Sequence, residues 1–179
     1  MKMLKKLLAV VLTGAMALTL FTACGGNAVN DKNIADALND IVKSSVAAGL
    51  TKDYTFKPRT DEQAMAKAIA ALSESDRHTT SGKDSEKVMK ILGLDESDAD
   101  EESRFVWWGA VFADEIGTAG QAYNVMDKIL SKDAVNADKL DGKEPGNIRY
   151  IGTALGTMTI PGGKQTTVRF IVVTAPVKG

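Results

Sequence analysis

Residues 148–175 read IRYIGTALGTMTIPGGKQTTVRFIVVTA, and this stretch decides the fold. Two runs, Ile148 to Ile160 and Lys164 to Ala175, alternate in polarity and are rich in Thr, Val and Ile. Pro161-Gly162-Gly163 joins them, and strand-rich runs separated by such a tripeptide form a β-hairpin. Phe170 to Val173 is apolar at every position, so both faces of the second strand are covered and it lies inside a sheet. Gly152 and Gly156 stand four apart on one face of the first strand. Strand twist or a bulge is the first reading of that pair, and a closely packed helix is the other.

Upstream of the hairpin the pattern is mostly helical. Ile34, Leu38, Ile41, Val42 and Val46 share one helical face between Asp31 and Ala48, with Gly49 as the stop. Leu50 to Lys57 reads as extended and ends at Pro58. Thr60 to Gln63 has capping-box form and opens a helix to about Ser73, burying Met65, Ile69 and Leu72. Asp76 to Lys83 is a polar loop holding the sole histidine, His78. A shorter helix covers Ser85 to Leu92 with Val88, Met89 and Leu92 inward, and an acidic run follows from Asp95 to Glu102. Phe105 to Phe112 (FVWWGAVF) is apolar on every face, so its period does not separate a buried strand from a buried helix. Its aromatic and β-branched content with Gly109 favours a strand, while the acidic residues in front also fit the first turn of a helix. Thr118 to Leu130 is a helix with Thr118 and Gln121 as a second capping box, and Lys132 to Asn147 is a loop. Helices first and a hairpin last define an α+β domain, several helices packed on a small antiparallel sheet, with an α-β-α sandwich as one form.

The first 24 residues carry a different message. Lys2, Lys5 and Lys6 precede an apolar run from Leu7 to Leu20, and Phe21-Thr22-Ala23-Cys24 follows. A basic start, a short apolar middle and small residues before a cut are the parts of a secretory signal peptide. The apolar run is shorter than the roughly 20 residues that span a bilayer. Ala23-Cys24 resembles the lipobox of bacterial lipoproteins, although Phe21 stands where Leu is usual. The resemblance implies cleavage after residue 23, lipidation of Cys24 with acyl chains of the palmitate class, and a membrane anchor facing outside the cytoplasm. It divides the chain into a signal peptide (1–23), a lipidated Cys with a short tether (24–30) and one globular domain (31–179).

Composition narrows the functional classes. Removing 23 of the 179 residues leaves 156, enough for one well-buried domain. Three of the 22 Lys and Arg lie in the signal, so 19 basic residues face 23 acidic ones, a net of −4. With no basic cluster, nucleic acid is not an expected partner. The single Cys cannot form an internal disulfide, and lipidation leaves no thiol for catalysis. One histidine cannot supply a zinc site. Setting Asp98, Asp100 and Glu102 at the first EF-hand positions puts Ser103 where Gly is needed and Gly109 where Glu is needed. Neither a cofactor nor a metal is therefore expected.

The candidate ligand-binding residues are Trp107, Trp108, Glu115 and His78. The tryptophans offer stacking faces, and Glu115 sits with Asp114 just beyond an apolar strand, where sites often lie. The order helix, strand, helix, loop, Ile151-Gly152-Thr153-Ala154 and hairpin resembles the CAP domains of secreted proteins over about the last 120 residues. That resemblance implies an α-β-α sandwich with a central cleft of His and Glu residues, of which this chain has one His. The functional expectation is a membrane-anchored, non-catalytic binding or interaction domain at the bacterial cell envelope, with an envelope protein or glycan as ligand. The alternative is a glycan or peptide hydrolase using carboxylates such as Glu115.

Overall fold

The computed structural model describes residues 31–78, 84–95, 103–113 and 117–179. The expected signal peptide, Cys24 and the expected tether, with most of the acidic run and Asp114–Ile116, lie outside the described residues. The fold is α+β, with five helices packed on a four-stranded sheet. The strands are β1 (Thr55–Pro58), β2 (Arg104–Phe112), β3 (Ile148–Thr159) and β4 (Gln165–Pro176), in the order β1-β3-β4-β2. The helices are α1 (Asp31–Ala47), α2 (Thr60–Ala71), α3 (Glu74–Arg77), α4 (Glu86–Ile91) and α5 (Thr118–Val125).

The hairpin forms as its residues require. Thr159 pairs with Gln165, and the turn between them places Gly162 and Gly163 at φ +96° and +78°, a region that favours glycine. β4 is hydrogen-bonded on both sides and buried from Val168 to Ala175. Phe105 to Phe112 is a strand, as its composition indicates, and it pairs antiparallel with β4. The sheet is mixed rather than wholly antiparallel, because β1 runs parallel to β3. The chain between β1 and β3 carries α2 to α5 and β2, the kind of long crossover that parallel neighbours need.

Each face of the sheet has its own apolar core. On one face, Phe105, Trp107, Val111, Ile151, Ile171 and Val173 pack with α1 and α5. On the other, Val106, Val168, Phe170 and Val172 pack with Ala66 and Ile69 of α2 and Val88 and Leu92 around α4. The chain is thus layered helix, sheet, helix. Gly49 ends α1 at φ +68°. The helix expected over Thr118–Leu130 is α-helical only to Val125 and continues as a π-helical turn, Met126–Leu130.

Neither expected capping box forms. Thr60 and Thr118 are the first residues of their helices, not the caps, which are Arg59 and Gly117 without side-chain bonds. The polar residues that suggested those boxes are needed in the interior. Fully buried Glu62 accepts hydrogen bonds from Thr174 Oγ1 (2.6 Å) and from Arg59 Nε (2.6 Å) and Nη2. Buried Gln121 accepts from Arg169 Nε at 2.8 Å, and Arg169 Nη1 donates to Thr153 Oγ1 at 3.0 Å. That hydroxyl donates to Asp31 Oδ1 at 2.5 Å. In α2, Ala66 and Ile69 are buried, while Met65 and Leu72 are only partly covered.

Gly152 decides how close α2 comes. A Cβ there would lie 1.9 Å from the Gln63 nitrogen and 2.1 Å from the Glu62 carbonyl carbon. At Gly156 it would meet the Phe170 ring at 2.8 Å and Ala70 Cβ at 3.4 Å. The spacing of the two glycines is therefore a helix seat, and the strand-twist reading is corrected. Two backbones cannot both hold their places around a methyl group at 1.9 Å. Gly152→Ala is expected to cost about 3 kcal/mol or more in a denaturant titration. Gly117→Ala, where a Cβ meets nothing within 4 Å, should change stability by less than about 1 kcal/mol.

Side chains cap most outward-facing edges of the sheet. Asn39 brackets β1, donating to Phe56 O (3.0 Å) and accepting from Phe56 N (2.7 Å). Beyond β1 on the same side, Asp31 accepts from Thr153 N (3.1 Å), Arg77 donates to Thr157 O (3.2 Å) and Glu74 accepts from Thr159 N. The Thr159 amide holds the Glu74 carboxyl below its ordinary value. At the far edge, Asn136 accepts from Val106 N (3.1 Å) and donates to Arg104 O (2.8 Å), and Val135 N donates to Val106 O (2.7 Å).

Candidate functional site

Trp107 and Trp108 are neighbours on a strand, so their side chains leave opposite faces of the sheet. Trp107 goes into the core under α5. Its ring stacks on Phe105 with centroids 5.9 Å apart, and its indole N–H donates to Lys132 O at 3.2 Å. The Arg149 guanidinium lies 3.8 Å from the Tyr54 ring centre and 5.2 Å from that of Trp107. Burial lowers the Arg149 pKa, and burial raises that of the Tyr54 phenol. Trp107 is a core residue with one side toward the surface.

Trp108 faces the α4 layer and is only half-buried. Its indole N–H donates to Asp84 Oδ2 at 2.9 Å. His78 stacks on the same indole, with ring centroids 5.4 Å apart and planes 20° from parallel. The His78 Nδ1 is 3.7 Å from Asp84 Oδ1, beyond hydrogen-bond length. A β-bridge between His78 and Asp84 holds the two residues in register. Ser85, next in the chain, caps α4 by accepting from Val88 N. Asp84 is therefore seated by its bridge to His78 and by the helix that begins just after it.

These three side chains line one end of a groove of about 440 Å³ that wraps around β2. On the α4 side its floor continues over Met158, Ile160 and Phe170. On the α5 side its wall is Asn124, Lys128, Ile129, Lys132 and Asp133. The π-helical turn sets this wall, and such turns concentrate at functional positions. Gly109 admits it: a Cβ there would meet Ile129 at 3.0 Å.

Of the residues singled out from sequence, the structure brings His78, Trp107 and Trp108 to this groove. Glu115 and Cys24 lie outside the described residues. Asp84, Lys128 and Lys132 were not anticipated. Asp84 precedes a helix cap and reads as loop, and the lysines read as the solvated side of an amphipathic helix. Among the described residues no group of three or more His, Cys, Asp or Glu is placed to hold a metal ion. No described helix is long and apolar enough to cross a membrane. No known protein family, curated protein or solved structure matches the chain.

The Asp84 contact orients the indole, and its loss should be visible optically. Asp84→Ala is expected to cost about 1 kcal/mol, because the carboxylate is partly exposed. It should also weaken the near-ultraviolet circular dichroism of Trp108, assigned by difference from Trp108→Phe. An unchanged Trp108 spectrum would mean that the stack on His78 alone holds the ring.

Proposed function

We propose that the chain is a membrane-anchored bacterial lipoprotein whose domain binds a ligand at the cell envelope through the groove around β2. The anchor rests on sequence. Lys2, Lys5 and Lys6, the apolar run and Ala23-Cys24 together resemble a lipobox signal. Each buried CH₂ of an acyl chain contributes about 0.8 kcal/mol, so two or three chains on Cys24 hold firmly. Six residues, Gly25 to Asn30, separate Cys24 from the first residue of α1. The domain would work close to the bilayer, facing outside the cytoplasm.

The observation that carries the binding reading is the half-buried Trp108, stacked on His78 and fixed by Asp84 at the end of an open apolar groove. An aromatic face held rigid at the mouth of a concavity offers contact area with little entropy left to lose on binding. An envelope protein or glycan meets such a surface at the membrane.

Growth with an alkyne-tagged fatty acid tests the anchor. The unaltered protein is expected to take up the label and remain with the membrane. Cys24→Ser should take up none and appear in the medium or periplasm. Absence of label on the unaltered chain would overturn the anchor.

A further inference from the structure

The open part of β2 goes further than a generic groove. In an antiparallel pair, backbone groups alternate between facing the neighbour and facing away. Val106 faces away from β4, since its N–H and C=O bond to Asn136 and Val135. By the same alternation Trp108, Ala110 and Phe112 also direct their N–H and C=O groups outward. No described residue bonds to them. On the opposite side of the sheet, Asn39, Asp31, Arg77 and Glu74 occupy outward positions of β1 and β3 and leave only the single exposed position Leu155 between them. Proteins normally blunt such an edge, because exposed ladder groups template another chain. Among the described residues the blunting stops at Val106, where the groove begins.

We infer that Trp108–Phe112 is a docking edge for an extended peptide, which adds antiparallel to β2 as a fifth strand. The inference deepens the binding reading above and depends on the groove, not on the lipid. Strand addition supplies main-chain hydrogen bonds, and the flanking surfaces select alternate side chains. Peptide residues opposite Trp108, Ala110 and Phe112 point to the α4 side. They meet the Trp108–His78 stack, the small Ala110 and Met158 beyond, a surface for apolar side chains. The intervening residues point to the α5 side, toward Lys128 and Lys132 one turn apart. Neither lysine has a carboxylate within ion-pair distance among the described residues, and Asp133 is the acidic group nearby on that wall. The fitting ligand is a segment of alternating apolar and acidic residues.

The test uses the full chain in detergent and synthetic seven-residue peptides, read by calorimetry and by the fluorescence of Trp108. A peptide alternating valine and glutamate is expected to bind at least tenfold tighter than one alternating valine and lysine. The difference should shrink with salt. Lys128→Glu combined with Lys132→Glu should reverse the preference. N-methylation of the valine amides, which face β2, should weaken binding at least tenfold; N-methylation of the glutamate amides, which face solvent, should change it little. Equal binding of the two methylated forms would overturn strand addition. Equal binding of the acidic and basic peptides would overturn the assigned chemistry, and no binding by either at millimolar concentration would overturn both. A glycan that quenches Trp108 where no peptide does would keep the groove and remove the peptide. Fatty-acid labelling is independent of all these outcomes, so failure of the anchor and failure of the edge are distinguishable.

Discussion

The structure depends on β4 being buried on both faces and hydrogen-bonded along both sides. Val168 to Ala175 has no exposed position. A strand with that property needs an apolar layer above, another below, and a strand at each flank. The two helical layers supply the faces; β3 and β2 supply the flanks. The sheet then extends on one side only, through the short β1. A four-stranded open sheet necessarily ends in two edges, so the management of those edges becomes the next structural problem.

The answer on one side is polar and costly. Asp31, Glu62 and Arg169 are buried or nearly so, and each is placed where strand backbone or another charge requires a partner. Asp31 occupies the Thr153 amide and joins Arg169 through the Thr153 hydroxyl. Burial lowers the Arg169 pKa. Glu62 ties the start of α2 to β4 through Thr174, with Arg59 as its countercharge. The Glu62 hydrogen bond is the largest influence raising the Arg59 pKa. Removing Arg59, a third exposed, would leave buried Glu62 without its countercharge, a loss of about 1–3 kcal/mol. These links also define which end of α2 sits on Gly152, where the backbones touch.

On the other side, the loop after the π-helical turn covers only the start of β2. The remaining edge lies between an aromatic stack and two lysines. Apolar burial explains Trp107 and the core under α5, but it does not explain why a half-buried tryptophan is fixed by a carboxylate and a histidine at a strand edge. The binding role proposed for that edge connects the two observations. It also gives the π-helical turn a consequence, since that turn places Lys128 and Ile129 along the groove.

The sequence by itself determined the hairpin and the central position of its second strand, while Phe105–Phe112 stayed open between buried strand and buried helix until its pairing with β4 decided it. It also carried the first long helix and the α+β class, because these follow from period, composition and turn chemistry within a few residues of one another. The signal-like N-terminus is equally local, and the reading of Cys24 stays with it. Only the tertiary structure decided that Thr60-Asp61-Glu62-Gln63 is no capping box, since the competing demand on Glu62 comes from Thr174, 112 positions away. The same holds for Gly152, whose reason is a helix backbone 1.9 Å from an absent methyl group. It holds also for Asp84 and Trp108, 24 residues apart in the chain and joined at 2.9 Å. Long-range partners leave no period in a sequence, because a single contact between distant residues imposes no pattern on the neighbours of either.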